Sequence, residues 1–600
     1  MKKNRLFLAL LAFACTSFFA CSSSDDETTD PGVGAETGSD IGDAAGSRFM
    51  SVQIINPAGT KASDGGYEEG TANENQVNNL RFYFFDEAGN PVTVNATSGT
   101  NKNQNYVIAT SIEPAGKSMD NVEKIIKATV VINTKEGDNI KVKKVVAVAN
   151  YDVAVLDDNE KSLSDLCKIV GDYSKISRTV DEGTTKNDNF LMTSSSYDNA
   201  DGQVTIAADI LPSNLCNSKE AAEANPVNIY IERVVAKVKM GISWTTDAVE
   251  NETVTFNGES VEAVKVKEKL SETEKKDVTV NIDGTEKPLY VIFTKWDVTG
   301  TAPESYLIKK IGNTTDWSGL FTGWNNTGWF RSYWAQNTAN VTNMTLKHFN
   351  YQSIGQKFNE GYVYCLENAG DANATDGTKA VYDPKNTITN RTQAIIAATL
   401  VTLDDSKNAT PVSVVNWAGK YYTETEATET MLDLITSPVY TNAEHTTKIT
   451  TSDVELVTAT TAKVADALSE TSPRYYSYLQ LTSDAAKKTF YDADGNVIDE
   501  TKVNDILKSL PGAKVWHNGL TYYYTDIEHL GSEATKGLYG VVRNHVYDID
   551  IKSVVGLGTP VLDPTETIIP QKPENVDTYI AAQINILSWR IVKQSVDLEW

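Results

Sequence analysis

Cysteine is nearly missing from this chain: there are five in 600 residues, and two of them, Cys15 and Cys21, fall near the start. The remaining three, Cys167, Cys216 and Cys365, are an odd number, which excludes a disulfide framework and leaves room for one pair or for three free thiols. Histidine is as scarce, with five residues scattered at 348, 445, 517, 529 and 545. With no C-x-x-C and no H-E-x-x-H, nothing reads as a zinc site, and no cofactor or metal is expected. Positive charge is also short. Lys and Arg number 54 against 80 Asp and Glu, a net charge of −26. That excludes nucleic acid as a partner, because phosphate binding needs clustered Lys and Arg. It suits a solvated acidic surface that resists nonspecific association.

Catalytic motifs are missing as well. There is no G-x-S-x-G and no P-loop. "GVGAETG" at 32–38 has neither a strand before it nor a helix after it, so it is no dinucleotide site. "DADGN" at 492–496 lacks the further oxygen ligands and closing Glu of a calcium loop and reads as a hairpin turn. The chain is therefore read as no enzyme. Helical periodicity is confined to 157–176 and 427–435. What fills the sequence instead is β-forming: 27 Tyr, 16 Phe and many Val, Ile and Thr, broken by Asn, Asp and Gly.

One long apolar run exists, "LFLALLAFACTSFFA" (6–20), behind the basic "MKKNR". It is short for a membrane span and reads as a signal peptide. Ala20 before Cys21 is what a lipoprotein signal peptidase reads, so Cys21 is the expected lipidation site, with Cys15 a weaker alternative. A lipid there anchors the chain to a membrane without spanning it. Residues 22–47, acidic and rich in Gly, Ser and Asp, read as a disordered tether.

A strand pattern follows over 49–55, where Met50, Val52 and Ile54 alternate with polar residues. It runs at once into a Pro/Gly stretch, a lone Lys61 and an Ala-Ser-Asp-Gly-Gly loop. Further strands to residue 242 number about seven, enough for one β-sandwich. Within them Ile229, Ile231, Val234 and Val238 read as core, with a slip near Arg233 that implies a bulge or bend. A second block runs from 243 and is long enough to carry insertions. Its Trp-rich stretch 316–342 offers a sugar platform or simple packing. The segment 594–600 alternates again: Val596, Leu598 and Trp600 on one face, Ser595, Asp597 and Glu599 on the other. Such a strand needs a sheet edge, in its own domain or a neighbour's.

These features together resemble the Bacteroidales fimbrillin family, the type V pilins, and most nearly the major (stalk) subunits of short fimbriae. The resemblance is carried by the lipoprotein leader, "NNLRFYFFDEAGN" (78–90), "FLMTSSS" (190–196), "IERVVAKVKM" (231–240), "FRSYWA" (330–335), "YCLEN" (364–368) and "VVRNHVYDIDIKSVVGLGTP" (541–560). It implies an all-β fold of two transthyretin-like β-sandwich domains that polymerise by strand exchange. The corresponding divisions are a signal peptide 1–20, a lipidated tether and removable first strand 21–61, an N-terminal domain 62–242, a C-terminal domain with insertions 243–593 and a donor strand 594–600. It further implies an outer-membrane lipoprotein precursor, cut by a trypsin-like protease behind its first strand. Lys61 occupies that place, and Arg48 is the alternative. The partners so implied are further copies head-to-tail, accessory anchor and tip subunits, and the maturation protease. The mature protein would lie in a surface fimbria supporting adhesion and biofilm formation. The rival reading is a surface glycan-binding β-sandwich lipoprotein using the 316–342 aromatics.

Overall fold

A computed structural model describes residues 47–57, 70–458 and 476–568 with breaks, and two final strands at 579–587 and 591–593. The first sheet begins with β1 (Ser47–Pro57), β2 (Leu80–Phe85), β3 (Tyr106–Ile108), β4 (Glu113–Gly116), β5 (Val122–Asn133) and β6 (Lys144–Ala149). It is completed by β7 (Met192–Ser194), β8 (Ala208–Asp209) and β9 (Val227–Arg233). Their order is β3-β2-β6-β7-β9-β1-β5-β4, with β8 also on β6. The two halves of this sheet fold over one apolar core. Leu80, Phe82 and Phe84 of β2 meet Ala128, Val130 and Ile132 of β5, with Met50 of β1 among them. The intervening Tyr83 and Phe85 face a second cluster, which includes Leu307, Ile308 and Leu366. Burial on both faces explains why "LRFYFF" is an almost unbroken apolar run.

β9 joins the halves. Its Val227–Tyr230 stretch pairs with β1, and Ile231, Glu232 and Arg233 pair with β7. The chain then bends at Val234 and Val235 and continues as β10 (Ala236–Ile242) in a different sheet. The slip expected near Arg233 is thus the point where one run of chain leaves the first sheet for the second sandwich. Ile229, Ile231, Val234 and Val238 are all buried, as expected.

The second sandwich sets a five-stranded sheet against a seven-stranded one. The first contains β10, β11 (Tyr362–Cys365), β12 (Val546–Val555), β13 (Tyr579–Leu587) and β14 (Ile591–Lys593), in the order β11-β10-β12-β13-β14. The second includes the long strands Tyr290–Thr299, Gln393–Leu403 and Leu520–Asp526. Val238, Trp296, Ile396, Leu400, Tyr523 and Ile549 share the core between them. An insertion spanning 414–516 carries a core of its own, including Val415, Met431, Leu479 and Val515.

Of two helix expectations, one changed. Among the described residues of 157–176 only Leu163–Leu166 is α-helical, because Val170–Asp172 is drawn into a strand pair with Glu304–Tyr306. The 427–435 pattern is a helix, Glu424–Asp433, capped by Thr423. The Asp492–Asn496 stretch is a hairpin turn: Asp492 accepts from the backbone N–H groups of Asp494 and Asn496 at 2.9 Å each, between paired strands. Among the described residues no helix is long and apolar enough to cross a membrane.

Candidate functional site

Alternation of Met50, Val52 and Ile54 makes a strand of β1, but its neighbours decide its role. The structure places it inside the sheet, filling a gap between two other strands. On one side it runs parallel to β9, with Val52 opposite Val227 and Ile54 opposite Ile229. On the other it runs antiparallel to β5, from Ser47 opposite Asn133 to Pro57 opposite Val122. Taking β1 away would therefore open a slot with two walls, each left with unpaired backbone donors and acceptors. Met50, Ala128, Val130, Val227 and Ile229 are all buried around the slot's inner face.

The opposite face is closed too. Ser51 is fully buried, and its hydroxyl has no hydrogen-bond partner among the described residues. The short helix Lys219–Ala224 packs on β1 and β5, with Ala222 fully buried. Ser218 caps it by accepting from the Ala221 N–H at 3.2 Å. Asn214 ties the loop by donating to the Asn225 carbonyl at 2.9 Å and accepting from the Leu211 N–H at 2.8 Å. The sequence reading missed this cover, although Ser218 ahead of "KEAAEA" is a helix-start signal.

The other expected site residues divide sharply. Arg48 lies within β1, half-buried and opposite Ile132. For Val52 and Ile54 the structure gives strand register alone. Cys21, Lys61, Val596, Leu598 and Trp600 lie outside the described residues, as does most of 316–342. Cys167 and Cys216 are half-buried, Cys365 is buried, and none is in a disulfide. Burial pushes the Cys365 thiol up to about 12, so it is an inert packing group.

A second arrangement, a buried polar joint between the sandwiches, was not foreseen. The Arg543 guanidinium is fully buried and grips the Glu367 carboxylate at 2.5 and 2.9 Å. It also donates to the Leu307 carbonyl at 2.9 Å and to Ser305 Oγ at 3.1 Å. Arg233 donates to the Glu74 carbonyl at 2.9 Å and to Asn544 Oδ1 at 3.2 Å. The Glu74 carboxylate meets Lys237 at 2.9 Å and accepts from the Tyr364 hydroxyl. Burial alone would raise the Glu74 pKa, but the Lys237 charge and these hydrogen bonds outweigh it and leave it below the ordinary value. Lys309 pairs with Glu232 at 2.9 Å and donates to the Ser332 carbonyl at 2.9 Å. "IERVVAKVKM", "YCLEN" and "VVRNHV" therefore converge here. Their charges within strand-like runs were the available signal.

Comparison with known proteins finds fimbrial subunits. A family described as major fimbrial subunit protein (FimA) matches residues 49–233, which run from within β1 through the whole of β9. The C-terminal family of major fimbrial subunit protein type IV, fimbrillin, matches residues 514–595. Among solved structures, a fimbrilin (FimA) from Porphyromonas gingivalis W83 is 12% identical, covering 89% of this chain and 96% of its own, with a TM-score of 0.33. The C-terminally truncated tip fimbrial protein Mfa3 from Porphyromonas gingivalis is 10% identical, covering 90% and 99%, with a TM-score of 0.30. A fimbrial assembly protein from Parabacteroides distasonis ATCC 8503 is 11% identical, covering 61% and 85%, with a TM-score of 0.25. No curated protein gives a significant match.

An all-β chain whose two ends both match major fimbrial subunits is a fimbrial structural subunit, and the matched families are not enzymes. The two matched stretches, 49–233 and 514–595, support placing the chain with the Bacteroidales fimbrillin family.

Proposed function

We propose that this chain is the major, stalk-forming subunit of a type V fimbria, assembled by exchanging its first strand for the C-terminal strand of another copy. The observation that carries the proposal is the interior position of β1, paired on both sides and followed within a few residues by the Lys61 loop. While the chain is intact, β1 returns to its place because it is tethered at high effective concentration. A cut after Lys61 ends that tether. A cut after Arg48 would leave nearly all of β1 attached, which favours Lys61.

The vacated slot is an aggregation hazard until another strand fills it. Residues 594–600 follow β14, the end strand of the five-stranded sheet, and suit that task. Burying Val596, Leu598 and Trp600 would contribute roughly 1.5–3 kcal/mol each before the costs of association, and ladder hydrogen bonds would add to this. Because slot and tail belong to different surfaces, the contact is head-to-tail and does not close, giving a filament. In this reading Cys21 is lipidated and anchors the precursor to the outer membrane. A trypsin-like protease releases it, accessory anchor and tip subunits bound the polymer, and the fibre serves adhesion and biofilm formation. Two domains, 62–242 and 243–593, carry the fibre.

N-terminal sequencing of surface-extracted fibres tests the cut, with Ala62 expected as the first residue. A mature chain beginning at Phe49 or at lipidated Cys21 would refute it. Lys61→Ala should block maturation. Deleting 594–600 should abolish polymer ladders while leaving monomer.

A further inference from the structure

The removable strand and the C-terminal segment carry one pattern in one direction. Residues 50–54 read Met-Ser-Val-Gln-Ile, and residues 594–598 read Gln-Ser-Val-Asp-Leu. Ser and Val coincide, Ile is matched by Leu, and polar Gln53 by Asp597. Gln594 has the unbranched stem of Met50. The least forgiving place in the slot is that of Ser51, fully buried on the face covered by helix Lys219–Ala224. A replacement strand must bring a small, uncharged residue there. Of Ser595, Asp597 and Glu599, only Ser595 qualifies, since either carboxylate would be buried as a desolvated charge.

We infer that the C-terminal segment enters the slot with Ser595 in the place of Ser51 and runs as β1 runs, parallel to β9 and antiparallel to β5. This rests on the strand-exchange reading and adds its register and polarity. Val596 then stands where Val52 stood, opposite Ala128, and Leu598 where Ile54 stood, opposite Ile126. Side-chain volume is conserved at both places, which a packed core tolerates best. A frame shifted by two would put Val596 at Met50, Leu598 at Val52 and Trp600 at Ile54. It would bury Asp597 at Ser51 and force an indole into the place of an isoleucine. A strand reversed about Ser595 would give the place of Ile54 to Val592, which is already paired with Ile586 in its own sheet.

Engineered cysteines read the register directly. In the full chain, with Cys167, Cys216 and Cys365 replaced by alanine, Val596→Cys is combined with Ala128→Cys or with Val130→Cys. The cleaved subunits are then polymerised under oxidation. Directly opposed strand positions lie within disulfide reach. The Ala128→Cys pair should give a cross-linked ladder on non-reducing gels several-fold stronger than the Val130→Cys pair. The opposite preference overturns the register and leaves strand exchange standing. Folded monomer without polymer from every pair overturns strand exchange, and the register with it. A second measurement needs no polymer. In the uncleaved chain, Met50→Gln with Gln53→Asp and Ile54→Leu makes β1 read Gln-Ser-Val-Asp-Leu, the inferred frame in full. The shifted graft, Met50→Val, Ser51→Asp, Val52→Leu, Gln53→Glu and Ile54→Trp, should melt several degrees below the first graft. The reverse order overturns the inference.

Discussion

Around Met50 the first sheet is closed by Ala128, Val130, Val227 and Ile229. At the joint, Lys309 with Glu232 and Arg233 with Asn544 tie the first sandwich to the second, beside the buried pair of Arg543 and Glu367. Both regions are buried, and they are built from opposite materials. The slot uses apolar side chains and backbone ladders, neither of which depends closely on which chain supplies the strand. The joint uses charges with fixed partners, each costly to leave alone. A contact meant to be remade with another copy is suited to the first kind, and a contact meant to last is suited to the second.

The sharpest way to break this comparison is at the joint. Arg543→Met leaves Glu367 buried without its partner and should cost about 3–5 kcal/mol. Chemical denaturation should show that loss equally in the precursor and in the cleaved chain. Met50→Ala removes a buried core side chain and should cost about 2–5 kcal/mol in the precursor. The same substitution should leave the cleaved chain unchanged, since β1 is no longer part of it. Acid separates the regions further. Because the Glu74 pKa is lowered by folding, its stabilising contribution is complete above its ordinary value of 4.5 and is lost as pH falls through the lower, folded value. Denaturation midpoints below pH 4.5 should therefore fall less steeply for Glu74→Gln, which starts from lower stability at neutral pH, than for the parent. The smallest effect belongs to the slot's cover. Ser218→Ala removes the cap of helix Lys219–Ala224 at a cost of about 1 kcal/mol, and hydrogen exchange should quicken in that helix and in β1 first.

Local chemistry was legible in the sequence. The turn formed by Asp492 and Asn496 was read as one, and that formed by Asp86 and Asn90 is built alike, the Asp accepting from the Asn backbone at 2.9 and 2.8 Å. Strand character at Met50, Val52 and Ile54 was also plain. That β1 is an interior strand was not, because this depends on β5 and β9, far along the chain. The slip near Arg233 was legible as a bend, but the burial of Glu232, Arg233 and Lys237 was not, since their partners Lys309, Asn544 and Glu74 come from other elements. Helix Glu500–Leu507, capped by Asp499, escaped notice because it is short and lies between brief strands.

β9 and β10 form one nearly continuous run of backbone. The run begins as a wall of the slot and ends paired in parallel with β12, which pairs with β13, which in turn pairs with β14 just before residue 594. In a pulled filament, tension entering through the slot would travel along β9 and β10, cross three hydrogen-bonded ladders and leave through the tail. Those ladders lie side by side along the strand direction, so they would be loaded together in shear rather than opened one bond at a time. Under the strand-exchange proposal, the subunit would act as a splice in a rope.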